Sequence, residues 1–242
     1  MCGGIRGQYP DVMTRRLAVV VAVAAATLLM AGCTGGEEGP TAAERLAVAQ
    51  DTLESTAAVT LDLSSADVPS TVSGVHAATG TAVRDGDVVS FEGNIQGKIA
   101  GAAAAVDILA IGADAYVKLF TPTYEPVDLD MLGVPNPTAL FAPETGIASL
   151  MAATTDLALG EQVREGSEVL TEITGTLAGE KVRGLLLLGV ADSTFAVTYA
   201  LTDDDELRTA TLRGNFWPDV ESSYTIVLTD YGKVIDISAP TS

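Results

Sequence analysis

The sequence predicts an α+β protein in which a single large antiparallel sheet is curved. Stretches that alternate apolar and polar residues recur on both sides of the chain's middle, and turn signals such as Arg84-Asp85-Gly86-Asp87 join them as in hairpins. The alternation stops between Pro126 and Ala153, where short apolar helical turns appear. Because a sheet of roughly ten strands must curl, we expect helices to pack on its concave face around a hydrophobic cavity.

Residues 1–32 are predicted to be a secretory signal peptide. Arg15 and Arg16 precede an almost wholly apolar run from Leu17 to Met30, which is too short for a confident membrane span. Met13 suits the start of such a signal, so it stays open whether residues 1–12 are translated.

Cys33 is the expected site of lipid attachment. Met30-Ala31-Gly32-Cys33 resembles the lipobox of bacterial lipoproteins, in which the cysteine is acylated and the chain is cut before it, although the pattern prefers Leu where this chain has Met30. The alternative is a chance Gly-Cys pair behind an ordinary signal peptide. Residues 33–40 are small, acidic and rich in glycine, which indicates a lipidated flexible tether. The other cysteine, Cys2, lies in the leader, so no disulfide is expected in the mature domain.

Residues 41–242 are predicted to form one lipid-binding domain, since no Pro/Ser/Gly linker divides them. Thr41 with Glu44 fits a capping box and predicts an amphipathic helix over 42–57. The apolar stretch Ala102–Ile111 predicts a strand that is buried on both faces. The strands predicted from alternation and turns are 59–63, 77–83, 88–99, 102–111, 115–119, 159–164, 169–177, 194–201, 206–213, 223–228 and 233–237.

Short helical pieces complete the predicted fold. Residues 127–132, 138–141 and 147–151 are apolar helical turns, and Asn136 before Pro137 suits a helix start. Such short pieces need an apolar surface to lie on, which the strands would supply. Residues 179–188 are predicted to form a further short helix.

Composition and motifs exclude several functions. The net charge of −19 makes a nucleic-acid partner improbable. The chain has one histidine, His76, and lacks a G-x-S-x-G nucleophile elbow, so we expect no catalytic residues and no enzyme activity. Asp203-Asp204-Asp205-Glu206 lacks the EF-hand spacing and indicates a solvated turn, so no metal and no cofactor are expected.

Residues 40–240 resemble the mycobacterial lipoproteins of the LppX/LprA/LprF/LprG family. The likeness rests on the lipobox cysteine, on the hairpin residues Ala82–Gly86 and Phe91–Gly93, and on the proline and glycine spacing of the insert. In the insert the matching positions are Tyr124, Val127, Asp128, Leu132, Gly133, Pro135, Pro137, Leu140, Pro143, Gly146 and Leu150. The resemblance implies a half-barrel whose helices enclose a large hydrophobic cavity. It also implies a protein that carries multiply acylated glycolipids or other apolar lipids outward from the inner membrane.

The resemblance and the apolar runs together give the candidate site. Lys181 and Arg183 precede the run Leu185–Leu188 and are candidates for lipid head-group contact, the alternative being solvated charges beside a core helix. The residues expected to line the cavity are Val106, Ile108, Val117, Leu119, Leu132, Leu140, Phe141, Ile147, Leu150, Met151, Leu185 and Leu187.

We therefore expect a cell-envelope lipoprotein that binds acylated lipids or glycolipids and transfers them between membranes. It would be a monomer held by Cys33 at the outer face of the inner membrane, with a periplasmic or secreted fraction, and a membrane transporter is a candidate partner. The alternative is an accessory or structural lipoprotein with a packed core that works through a protein partner.

Overall fold

The computed structural model describes residues 1, 3, 39–99, 101–119, 122–132 and 134–240. The predicted signal peptide and Cys33 lie outside the described residues. Residues 41–242 form one compact unit. None of the helices in the described ranges is long and apolar enough to cross a membrane.

A single antiparallel sheet of eleven strands dominates the fold, which confirms the predicted α+β class and curved sheet. From edge to edge the strands run β6-β5-β4-β3-β2-β1-β11-β10-β9-β8-β7, so two meanders meet where β1 pairs with β11. The strands are β1 Ala58–Ala66, β2 Gly74–Asp85, β3 Val88–Ile99, β4 Ala102–Ile111, β5 Asp114–Lys118, β6 Glu125–Val127, β7 Thr155–Glu165, β8 Glu168–Ala178, β9 Thr194–Leu201, β10 Leu207–Trp217 and β11 Val220–Thr229.

The two faces of the sheet differ because side chains alternate along each strand. On the concave face, buried apolar residues lie opposite one another in register, as Leu61 does with Leu228. On the convex face, cross-strand threonines hydrogen-bond, with Thr211 Oγ1 3.0 Å from Thr225 Oγ1. The sheet therefore buries one apolar face and exposes one polar face.

Helices cover the concave face. Helix α1 (Ala42–Ser55) begins with the predicted capping box, in which the Thr41 backbone N–H donates to Glu44 Oε2 at 2.8 Å. Its buried residues Leu46 and Leu53 belong to the core. Arg45 forms a partly buried ion pair with Asp205, which fixes the start of α1 beside the β9–β10 turn.

The insert between β5 and β7 contains three of the predicted helical pieces. They are α2 (Leu129–Leu132), a 3₁₀ helix (Pro137–Phe141) and α3 (Ile147–Ala153). Asn136 caps the 3₁₀ helix as expected, since its side chain accepts from the Thr138 N–H at 3.0 Å. Helix α4 (Gly179–Leu186) follows β8 and ends two residues before the predicted boundary at 188.

Some sequence predictions are wrong. Residues 233–237 form no strand, because both edges of β11 are already paired, with β1 and with β10. The predicted turn 127–132 begins with strand β6, which pairs with β5, so its helix is confined to Leu129–Leu132. Strand β4 is buried on both faces only over residues 108–110, whereas Ala102, Ala103, Ala105 and Asp107 are exposed.

Candidate functional site

Small and aliphatic residues line the concave face along β2–β5. Glycine, alanine, valine and isoleucine occupy the positions that point toward the insert, and side chains of this size do not reach the segment above them. The hollow surface of these strands consists of Gly74, Val75, Ala78, Ile95, Gly97, Ala102, Ala103, Ala104, Val106, Ile108 and Val117.

The larger lobe of the resulting cavity has a volume of about 300 Å³. Its floor is formed by β2–β5, and Leu129, Leu132 and Val134 of the insert form its roof. Among the described residues, every side chain that lines this lobe is apolar. The lobe opens to solvent where Leu119 and Leu132 are 47% and 46% exposed, next to Met131, which is 84% exposed.

A smaller lobe of about 70 Å³ lies beside the first, over β1 and β11. Four residues line both lobes: Gly74, Val75, Ile95 and Val134. The smaller lobe is bounded by residues of the sheet, the insert and the end of α4, namely Leu61, Leu63, Ala78, Phe91, Pro135, Pro137, Leu140, Leu186, Leu188, Tyr224 and Ile226. The two lobes share these wall residues and are together called the slot, whose lining extends from β5 to β11.

Tyr224 brings the one polar side-chain atom among the described residues that line the slot. Its hydroxyl donates to the Val75 carbonyl oxygen at 2.8 Å, so its hydrogen-bonding capacity as a donor is used within the protein. Burial raises the pKa of Tyr224 to about 12, which keeps the phenol uncharged at neutral pH. The slot therefore offers a ligand hydrophobic contact and no charge.

The roof of the slot is tied to the sheet at its two ends. At the first end, Val127 of β6 pairs with Ala115 of β5. At the second end, Asn136 Nδ2 and Thr138 Oγ1 both donate to the Gly112 carbonyl oxygen, at 3.0 and 2.9 Å. Among the described residues, the hydrogen bonds made between these ends stay within the roof, as from the Val134 N–H to the Leu129 carbonyl oxygen at 3.1 Å. The middle of the roof therefore rests on the cavity through apolar contacts.

A pair of glycines shapes the inner part of the slot. Gly80 and Gly93 lie opposite each other in register on β2 and β3. A Cβ on Gly80 would lie 2.4 Å from Phe91 Cζ, and one on Gly93 would lie 2.9 Å from Phe91 Cε1. Glycine at both positions leaves room for the Phe91 ring to pack flat against the strands. The ring there forms part of the wall of the smaller lobe.

Comparisons with known proteins agree with this architecture. A sequence model of the LppX_LprAFG lipoprotein family matches residues 41–237. The chain belongs to this family. This confirms the resemblance on which the sequence analysis relied.

Two solved structures share the fold of this LppX_LprAFG lipoprotein. LprF from Mycobacterium bovis is similar with a TM-score of 0.72 at 12% sequence identity, over 83% of this chain and 97% of LprF. The lipoprotein LppX of Mycobacterium tuberculosis is similar with a TM-score of 0.61 at 14% identity, over 81% of this chain and 98% of LppX. No curated protein matches the chain.

About half of the predicted cavity residues lie on the slot of this LppX_LprAFG lipoprotein. The larger lobe is lined by Val106, Ile108, Val117, Leu119 and Leu132. Leu140 lines the smaller lobe. These residues come from β4, β5 and the insert, the three stretches in which the sequence combined small residues with apolar ones.

The other predicted residues of the insert lie in packed surroundings. Phe141 is buried beside Leu53 of α1. Ile147, Leu150 and Met151 of α3 are at most 5% exposed and belong to the core, and they line neither lobe of the slot. These three residues lie on the helix that packs beside α1, away from the roof.

The leucine run after α4 contributes residues that the sequence did not single out. Leu186 and Leu188 line the smaller lobe, whereas Leu185 is buried in the core and Leu187 is 50% exposed. The reason is the helix end, since Leu187 is the C-cap and has a φ of 54°. Because Leu187 is left-handed, the helix ends there, and the residues after it do not point where a continued helix would place them. Helical periodicity in the sequence does not indicate this change of direction.

Lys181 and Arg183 lie outside the slot. Both are exposed on α4, whose buried positions are Gly179, Val182 and Leu185. Lys181 and Arg183 line neither lobe, and within the described residues no hydrogen bond or ion pair engages their side chains. Head-group contact by these residues stays a prediction.

His76, the chain's one histidine, lies away from the slot. His76 is the extra residue of a bulge in β2, and its Nε2 is buried without a hydrogen-bond partner. His76 lines neither lobe. Among the described residues, no group of three His, Cys, Asp or Glu side chains is placed to hold a metal ion.

Proposed function

We propose that this LppX_LprAFG lipoprotein binds the hydrocarbon chains of acylated lipids or glycolipids and transfers them between envelope membranes. The observation that carries the proposal is the apolar slot between β2–β5 and the roof, whose larger lobe is lined by apolar side chains throughout the part of the chain that the structure describes. A pocket with charged groups would suit a polar substrate, whereas this slot suits hydrocarbon.

The energetics of the proposal come from removing methylene groups from water. Each buried CH₂ contributes about 0.8 kcal/mol, so a chain of ten methylenes gains on the order of 8 kcal/mol. A methylene gains a similar free energy when it enters a bilayer. A hydrocarbon chain can therefore exchange between the slot and a bilayer without covalent chemistry. Loading and release would follow from movement of the roof, because the hydrogen bonds that its described middle residues make stay within the roof.

We further propose that the protein acts as a lipid-anchored monomer at the outer face of the inner membrane. Cys33 would carry the acyl groups, and two or three acyl chains would hold the protein firmly at the surface. The family match begins at residue 41, and residues 33–40 before it would serve as the tether. A membrane transporter would be a partner in loading, and Lys181 and Arg183 would meet lipid head groups during exchange.

Native mass spectrometry of residues 34–242 tests lipid carriage. This part contains the compact unit and the whole family match, and so is expected to fold alone. Protein produced in a bacterial host and freed of detergent should show adducts with lipid masses. A bare mass and no uptake of added lipid would contradict carriage and favour the accessory function through a protein partner.

A vesicle assay with the full-length lipidated protein tests transfer. Donor vesicles contain a fluorescent lipid, acceptor vesicles contain a quencher, and the protein is reconstituted in the donors. Carriage with transfer predicts quenching that increases with protein concentration. Lipid adducts without such an increase would restrict the function to lipid storage.

A further inference from the structure

We infer that the mouth of the larger lobe is a membrane-docking surface, which meets a phospholipid bilayer facing the one that holds the anchor. The inference rests on the proposed lipid-carrier function and names the surface through which a lipid would enter or leave the slot. Three features carry it: the exposed apolar residues at the mouth, the uncharged turn beside them and the distribution of charge along the sheet.

Exposed apolar residues surround the mouth of the larger lobe. Ala102 and Ala103 of β4 are exposed and also line the lobe, as Leu119 and Leu132 do. Met131, next to Leu132, is 84% exposed. We call these five residues the apolar rim. Apolar surface therefore continues from the outside of the domain into the slot, and a hydrocarbon chain can pass between a docked bilayer and the slot without crossing water.

The turn between β3 and β4 lies at the apolar rim and has no charge. Residues 99–106 are all uncharged, whereas every other turn between consecutive strands of the described sheet contains or adjoins a carboxylate. Examples are Asp87 before β3, Asp114 at the start of β5 and Glu168 at the start of β8. A carboxylate would lose its hydration on entering a bilayer, and an uncharged turn does not have this cost. The β3–β4 turn is therefore suited to contact with lipid.

Lysines border the apolar rim. Lys98 of β3 lies opposite Ala103, and Lys118 ends β5 directly before Leu119. The Lys118 ammonium lies over the Tyr124 ring, 4.4 Å from its centroid. A lysine can keep its ammonium among the phosphates of a bilayer while apolar neighbours reach deeper, and tyrosine suits the same interface. The rim and its border thus match the order of a bilayer surface, from acyl chains to phosphates.

The carboxylates that precede the rim in the insert line a different pocket. Asp128 and Asp130 lie there with Asp114 of β5, whereas Leu132 lines the larger lobe. The part of α2 that borders the mouth is therefore apolar.

The end of the sheet opposite the mouth is acidic. Strand β3 extends over twelve residues, or about 40 Å, from the acidic turn at 85–87 to the uncharged turn at the mouth. The turn at 203–206, which joins β9 to β10, lies at the same acidic end. An anionic bilayer repels this end and attracts the lysines at the other, so electrostatics select the mouth for docking.

The proposed tether would join the domain at the acidic end. Helix α1, which follows the tether, begins beside the β9–β10 turn, where Arg45 pairs with Asp205. The eight residues from 33 to 40 reach at most about 28 Å, which is less than the length of β3. The mouth would therefore face away from the anchoring membrane and toward a second bilayer.

Contact quenching of labels at the two ends of the domain tests the inference. The full-length lipidated protein is reconstituted in donor vesicles, and Cys33 carries the anchor, so an introduced cysteine is the thiol that takes the fluorescent label. The label is placed on the rim in Met131→Cys or Ala103→Cys. In the matched controls, Val88→Cys and Val234→Cys, it replaces exposed apolar residues of the acidic end.

Acceptor vesicles contain phosphatidylcholine and phosphatidylglycerol in equal parts, with a trace of a phospholipid that bears a nitroxide quencher. They should quench the rim labels several-fold more strongly than the control labels, because contact quenching requires the label to enter the bilayer surface. Equal quenching at both ends, or quenching at neither, would overturn the inference.

Lysine variants test the contact with phosphates. Lys98→Gln together with Lys118→Gln should lower the ratio of docked to free protein roughly tenfold or more, because each lysine near an anionic surface contributes about a factor of five. Lys98 Nζ also donates to the Ser70 carbonyl oxygen at 2.7 Å, so Lys118→Gln alone is the second variant and should lower the ratio about fivefold. Lys233→Gln, at the acidic end, is the matched control and should leave the ratio unchanged. Unchanged docking in both lysine variants would overturn the contact between lysines and phosphates.

Lipid adducts separate this inference from the proposed function. Met131→Asp places a carboxylate on the rim and should slow vesicle-to-vesicle transfer several-fold, while native mass spectrometry still shows lipid adducts. Val88→Asp is the matched control and should change neither result. Adducts together with unchanged transfer in Met131→Asp would overturn the docking surface and leave lipid carriage intact. The absence of adducts and of transfer in the unmodified protein would contradict the proposed function itself.

Discussion

The two halves of the concave face are built on one sheet and differ in how they are filled. Along β8–β11, aromatic side chains pack against each other, with the Phe216 ring centroid 4.8 Å from Phe195 and 4.6 Å from Tyr224. Along β2–β5, glycine, alanine and valine face the roof and leave about 300 Å³ in the larger lobe. Here the size of the inward side chains, and not the pairing of the strands, decides whether the sheet encloses a core or a cavity.

This division separates stability from binding. Protein interiors are normally packed as densely as organic crystals, and a void forfeits the contacts that its lining would make. The aromatic half supplies these contacts, together with α1, α3 and α4. The hollow half can then stay open, since the fold does not depend on filling it.

The largest expected difference is between two buried isoleucines. Ile173 of β8 is fully buried in the packed half, and Ile95 of β3 is 7% exposed and lines both lobes of the slot. Ile173→Ala should lower the free energy of unfolding by about 4 kcal/mol, and Ile95→Ala by about 2 kcal/mol, because a side chain already beside a void loses fewer contacts. Urea unfolding measures both changes.

Equal losses would show that the hollow half supports the fold as strongly as the packed half. The same pair can be measured with a saturating fatty acid. Ligand should then increase the cost of Ile95→Ala and leave the cost of Ile173→Ala unchanged, because only Ile95 would contact the chain.

The next effect concerns pH and the phenol of Tyr199 in the packed half. Its hydroxyl lies 2.8 Å from Thr154 Oγ1, and burial raises its pKa from 10.0 to about 12. The folded state therefore holds this proton more tightly than the unfolded state. The resulting stability, on the order of 2–3 kcal/mol, is present below pH 10 and is lost as the pH rises toward 12.

Tyr199→Phe isolates this contribution. At pH 7 the variant should be about 1 kcal/mol less stable, since it loses one hydrogen bond while Thr154 Oγ1 keeps its bond to the Leu150 carbonyl oxygen at 2.8 Å. Between pH 10 and 12 it should lose less stability than the unmodified protein, as measured by urea unfolding. Parallel curves would show that Tyr199 ionises as easily in the folded state as in the unfolded state.

Sequence reasoning predicts the sheet well because its signal is local. Alternation and turn residues placed β3 and β9 at their observed bounds, Val88–Ile99 and Thr194–Leu201. The failure at 233–237 has a non-local cause, because the pairing of β1 with β11 uses the edge that a last hairpin would need. The residue pattern of a strand does not determine which other strand lies beside it in the sheet.

The cavity could be predicted only in part for a similar reason. The alanines of β4 and the apolar roof indicated a lightly filled region, and Val106, Val117 and Leu132 lie there. Ile147 and Met151 have the same composition and periodicity but pack into the core. An apolar residue is cavity wall or core according to what faces it, and that depends on side chains far away in the sequence.

The smallest expected effect concerns α4, which borders both halves through Leu185 in the core and Leu186 on the slot. Gly184 is exposed on this helix, and a Cβ there would meet no heavy atom within 4 Å. Gly184→Ala should raise the free energy of unfolding by about 0.5–1 kcal/mol through helix propensity. Gly179→Ala is the matched control and should destabilise, because its Cβ would lie 2.1 Å from the Val190 carbonyl oxygen. Thermal unfolding measures both changes in stability. Unchanged fatty-acid affinity in Gly184→Ala would indicate that the slot exists before ligand binds. A marked loss of affinity would mean that α4 must loosen to admit the chain.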